Sequence, residues 1–158
     1  GFTTDVMVRE CPPSGPFTYC TAKTNSLGCT PAIASTGTPD ASAGSGWTLS
    51  VSNLVGGAPT KKGLFFHKMG TSKAAIPFHG GLACFALSGA KRHAQQSLGG
   101  QSTACDGSIT EDVNVYIAAG TDPLMVAGAS GNIQGWCRDG ADPYGDSLSD
   151  AYEFTICN

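Results

Sequence analysis

Trp47-Thr48-Leu49-Ser50-Val51-Ser52 alternates an apolar residue with a hydroxylated one at every step. A period of two is the signature of a strand, whose successive side chains point to opposite faces. Trp47, Leu49 and Val51 therefore share one buried face. Toward the C-terminus, residues 63–69 read as a more deeply buried strand. Residues 76–78 are short, and Pro77 suits an edge or a strand end. Residues 82–87 follow. Residues 112–118 alternate again, with Val113, Val115 and Ile117 inward. Residues 124–127 form a brief strand, and residues 132–138 and 151–157 complete the set. In the last of these, Tyr152, Phe154 and Ile156 share a face. Toward the N-terminus, residues 17–22 make a short strand, and residues 30–45, rich in Pro, Gly, Ser and Thr, are irregular. Residues 2–9 can form a strand, which the Pro-rich run 11–16 ends. Residues 90–101 have room for one helical turn.

Eight to ten short strands separated by turn signals predict an all-β fold, a disulfide-stapled β-sandwich or jelly roll. The 158 residues fit one domain, 1–158, in which residues 1–16 read as an N-terminal extension or an exchanged strand. The 22 glycines suit many tight turns, and only 13% of residues are charged, against about 25% in typical domains. A formal net charge of −3 argues against nucleic-acid binding, which needs a basic face. The basic clusters Lys61-Lys62 and Lys91-Arg92-His93 read as solvated loops. No apolar run approaches the length of a membrane span. A chain that opens on Gly1 rather than methionine reads as a processed form.

The seven cysteines stand at 11, 20, 29, 84, 105, 137 and 157, with no Cys-x-x-Cys pair. That spacing points to disulfides in an oxidising compartment rather than to zinc or redox motifs. Local pairing predicts Cys20–Cys29 and Cys84–Cys105, the latter closing a loop of about 20 residues and stabilising by roughly 3 kcal/mol. Cys157 then pairs with Cys11, or with Cys137 in its place. The odd number leaves one thiol over. Cys137 reads as a buried free thiol or an interchain partner; a catalytic role would need a base that no motif supplies.

The order of the pieces resembles a group of uncharacterised secreted domains of planctomycetes and myxobacteria. The resemblance is carried by Gly63-Leu64-Phe65-Phe66, by Pro77-Phe78-His79-Gly80-Gly81-Leu82-Ala83-Cys84 and by Lys91-Arg92. Cys105-Asp106-Gly107, Gln134-Gly135-Trp136-Cys137-Arg138-Asp139 and the closing residues 148–157 extend it over roughly residues 17–158. Cys137 stands where that group has an aromatic residue. The resemblance implies export and an extracellular β-domain, and it implies no enzymatic activity.

Candidate chemistry is sparse. His67, His79 and His93 lie on separate segments and read as isolated surface residues rather than a zinc site. Asp139, Asp142, Asp146 and Asp150 fall in one loop and could offer oxygens to calcium, although their spacing is not that of an EF-hand; turn capping, with Arg138 neutralising one of them, is the simpler reading. A glycosidase pair is disfavoured because Glu occurs only at 10, 111 and 153. No Gly-x-Ser-x-Gly elbow is present. Trp47, Trp136, Tyr116, Tyr144 and Tyr152 are the aromatics available for a sugar platform; Trp47 and Trp136 lie in strand patterns and fit a core, whereas Tyr144 beside the aspartates is an exposed candidate for sugar contact. These readings predict a non-enzymatic extracellular structural or self-assembling surface protein, a homo-oligomer or polymer, in which residues 1–10 add to a neighbour's sheet edge. The alternative is a carbohydrate-binding or adhesive module, assisted by calcium.

Overall fold

A computed structural model describes residues 17–70 and 72–158. In chain order the strands are β1 (Thr18–Tyr19), β2 (Ala32–Gly37), β3 (Trp47–Leu54), β4 (Lys62–Met69), β5 (Lys73–Phe78), β6 (Gly81–Phe85), β7 (Lys91–Arg92), β8 (Gln96–Ser97) and β9 (Gly107–Asp112). A short helix α1 (Val113–Ala118) follows, then β10 (Ser130–Arg138) and β11 (Asp146–Thr155). The fold is all-β, and every pairing between these strands is antiparallel.

The strands form three layers. A central sheet runs β1-β11-β10-β4-β7, with β8 also on β4. A second sheet runs β2-β3-β9, and β5 and β6 form a separate hairpin. The main core lies between the two sheets, as in a sandwich. Trp47, Leu49 and Val51 of β3 meet Phe65, Ile133 and Phe154 of the central sheet there. A second apolar cluster lies on the opposite face of the central sheet, beneath the hairpin, and contains Leu64, Phe66, Phe85 and Leu148. Both faces of β4 are therefore covered, which explains why Leu64-Phe65-Phe66 runs apolar without alternation. Gly135 lets the layers approach, because a Cβ there would lie 2.7 Å from Val51 Cγ2.

Several local expectations are corrected. Residues 113–118 form α1 instead of continuing a strand. The Asp112 carboxylate accepts from the Asn114 N–H and caps the helix, so Val113 and Ile117 face inward at helical spacing while Val115 points to solvent. Residues 30–45 contain β2, residues 90–101 contain β7 and β8 with no helical turn, and residues 124–127 form turns.

The four local cysteines are all bridged, but not as neighbours. The disulfides are Cys20–Cys84 and Cys29–Cys105, with sequence separations of 64 and 76. Cys20 follows the edge strand β1 and meets β6 of the hairpin. Cys29 sits in a turn held by Asn25 and meets the segment that leads into β9. Contact in space, rather than the shortest loop, set both pairs. Cys157 is disulfide-bonded, and the expected partner Cys11 lies outside the described residues, as do residues 1–16 as a whole. Cys137 is a free, buried thiol. Burial, with Asp139 and Asp146 nearby, pushes its pKa up to about 12.

Candidate functional site

The outer face of the central sheet carries a groove of about 470 Å³, walled on one side by the hairpin. Strand register builds its floor. Leu64, Trp136 and Leu148 lie abreast on β4, β10 and β11. Two residues further along the same face, Arg138 is opposite Asp146. In the other direction Phe66 pairs with Arg92 of β7.

The wall is the turn between β5 and β6. His79 has a φ of 49°, a conformation uncommon for a residue with a side chain. Its imidazole lies between two rings. It stacks on Phe78 at 4.0 Å between centroids and on Tyr144 at 5.6 Å, with interplanar angles of 14° and 8°. Gly80, at a φ of 77°, completes the turn; a Cβ there would come within 3.1 Å of the Tyr144 ring.

Asp146 organises the site from beneath. Its Oδ2 accepts from His79 Nδ1 at 2.5 Å and from Trp136 Nε1 at 3.1 Å. The buried Lys23 ammonium donates to the Asp146 carbonyl at 3.0 Å and to Asp142 Oδ2 at 2.7 Å, and lies 3.4 Å from Asp146 Oδ1. One buried carboxylate thus fixes an indole and an imidazole, and a buried cation compensates it. Arg92 and Arg138 are exposed, and neither forms an ion pair with another described residue. The Arg138 guanidinium lies over the Trp136 ring at 5.2 Å. No serine, threonine or cysteine lines this groove among the described residues.

The four candidate aspartates do not converge on one ion site. Asp139 accepts from the backbone and hydroxyl of Ser26, and Asp150 accepts from the Ile33 N–H. Only Asp142 and Asp146 share a partner, and that partner is Lys23. Among the described residues no three His, Cys, Asp or Glu side chains are grouped to hold a metal. Tyr144 is exposed, as expected, and its neighbour in the groove is Trp136, which is only half-buried rather than core. Trp47 and Tyr152 are core, and Tyr116 is half-buried.

The histidines are corrected most. His67 and His93 are buried in contact, and His93 is no part of a solvated loop. His67 Nδ1 meets His93 Nε2 at 2.7 Å, His67 Nε2 meets Asp122 at 2.7 Å, and His93 Nδ1 meets Glu111 at 2.5 Å. Tyr116 of α1 stacks on His93 at 3.9 Å and meets His67 edge-on. Three hydrogen bonds in this chain need three protons, and two neutral imidazoles carry two. The third must come from a protonated imidazole or carboxyl within the chain. Burial lowers the pKa of His67, against the opposing effect of the hydrogen bond that it donates to Asp122. This chain joins β4 of the central sheet to β9 of the second sheet and to the segment after α1. Sequence reasoning missed it, although His67 alternates in phase with the inward Phe65 and Met69.

No helix among the described residues is long and apolar enough to cross a membrane. Comparison with protein-family models, with curated proteins and with solved structures finds no match.

Proposed function

We propose that this domain is a non-enzymatic extracellular binding module that holds a carbohydrate chain in the groove between the hairpin and the central sheet. One observation carries the reading. Trp136 and Tyr144 present rings at a groove in which a single buried aspartate fixes the Trp136 indole and the His79 imidazole, while Arg92, Gln95 and Arg138 add further polar groups to its lining. Sugars have apolar faces that stack on such rings and hydroxyls that take hydrogen bonds from fixed polar groups. The two disulfides support an oxidising, extracellular setting. Self-assembly through residues 1–10 concerns residues outside the described ones, so the geometry lends it no weight.

The test is a glycan array with the wild-type chain and with Trp136→Ala and Tyr144→Ala. The wild type is expected to bind, and each substitution to weaken binding about ten-fold, the loss of one stacking ring. A chelator is expected to leave binding unchanged, because the aspartates lie apart. A wild-type chain that binds no glycan would remove the proposal.

A further inference from the structure

We infer that the groove takes an anionic glycan, a linear chain bearing carboxylates or sulfates, held by Arg92 and Arg138 at opposite ends of the Phe66–Trp136 floor. This inference rests on the carbohydrate reading above and adds the charge and the length of the ligand.

The charge follows from the pairing of the groups at the groove. Asp146 is the one carboxylate lining it among the described residues, and His79, Trp136 and Lys23 already satisfy it. Arg92 and Arg138 have no carboxylate partner among those residues. The groove therefore offers two unpaired guanidinium groups in a chain whose net charge is −3. A guanidinium fork matches the paired oxygens of a carboxylate or a sulfate.

The length follows from the register. Arg92 pairs with Phe66, and Phe66 pairs with Gln134, so Arg138 is two strands across and four residues along. Ideal sheet spacing puts their Cα atoms about 16 Å apart. That span suits a ligand longer than one sugar ring. A chain that repeats its negative charge can meet both arginines while a sugar between them crosses the groove floor. A nucleic acid also repeats its charge, but an acidic protein with two exposed arginines lacks the basic face that would hold it.

The test is calorimetric titration of the whole chain with oligogalacturonate, dextran sulfate, unmodified dextran and oligothymidine, at low salt and at about 0.15 M salt. One of the two anionic glycans is expected to bind at least about ten-fold more tightly than dextran, and to weaken as salt rises. Oligogalacturonate and dextran sulfate separate carboxylate from sulfate recognition. The double variant Arg92→Gln/Arg138→Gln is expected to lose about ten-fold in anionic binding, and Arg92→Lys/Arg138→Lys to recover part of it. If dextran binds as well as the charged chains and the double variant is unaffected, this inference is overturned and the carbohydrate reading survives. If none of the polysaccharides binds, both are overturned. Tighter binding of oligothymidine than of either anionic glycan would also overturn it.

Discussion

Gln134 is fully buried at the centre of β10, and its amide holds the hairpin to the central sheet. Its Oε1 accepts from the Cys84 N–H at 3.0 Å, and its Nε2 donates to the Leu82 and Ser149 carbonyls at 2.9 and 2.7 Å. Gln134→Leu would keep the volume and leave a buried N–H and two carbonyls unpaired. The expected loss is about 3 kcal/mol of stability, read by urea unfolding. A loss under about 0.5 kcal/mol would mean that the amide adds little to the packing and the Cys20–Cys84 disulfide that also hold the hairpin. Single residues of this kind were the least legible part of the sequence. Gln134 and His67 sit in strands whose patterns are plain, but their partners are 50 and 26 residues away. Nothing in a local pattern marks which polar residue will be buried. The usable signal was phase: His67 falls on the inward face of β4, where a polar group must find a partner.

Elements with sustained alternation were readable. β3 follows its alternation because one face lies against the main core, and Tyr152 and Phe154 do share a buried face, but β11 begins at Asp146, so Asp146 and Asp150 lie on a strand and not in the expected loop. The expectation failed at α1, where Val113, Val115 and Ile117 fit a period of two, yet Asp112 caps a helix and leaves Val115 outside. It failed again for the cysteines, because β1 and β6 are adjacent in space and distant in sequence. The His67–His93 chain has a consequence at this scale, since it joins β4 to β9. The groups facing it are Glu111, Asp122, Tyr116 and Lys91. Burial lowers the pKa of His67 below the ordinary 6.5. The folded chain takes up this proton only at a lower pH than the unfolded chain does, so stability falls as pH drops below about 6.5. For Asp122, burial acts upward, but hydrogen bonds from the Leu124 N–H and His67 outweigh it and hold the carboxyl below 3.8. Its contribution is present above that value and is lost at still lower pH. Urea unfolding at pH 7 and pH 5 is expected to show a loss in the wild type and a smaller loss in His67→Gln. Equal losses would contradict the role given to this ring.

At the scale of the molecule, the central sheet has two jobs. Its inner face closes the main core, and among the described residues its outer face is only partly covered, because the two-stranded hairpin is narrower than the sheet. The uncovered part is the groove. Layering of this kind was legible only as an all-β class: the sequence shows strands but not which of them leave a sheet to cover its back. Tyr144 was visible as an exposed ring, whereas the groove that makes it useful required β5, β10 and β11 to meet. The chain has two tryptophans, and they report on the two faces separately. Trp47 is fully buried in the main core, with its Nε1 bonded to Ser35 at 2.9 Å. Trp136 lines the groove, with its Nε1 on Asp146. The most direct measurement is a nitrogen-15 NMR titration of the two indole N–H signals with oligogalacturonate and dextran sulfate. The Trp136 signal is expected to move in a saturable way with one of these chains, while the Trp47 signal stays in place. Saturable binding that leaves the Trp136 signal unmoved, or a titration with no response at either indole, would contradict the placement of a glycan in this groove.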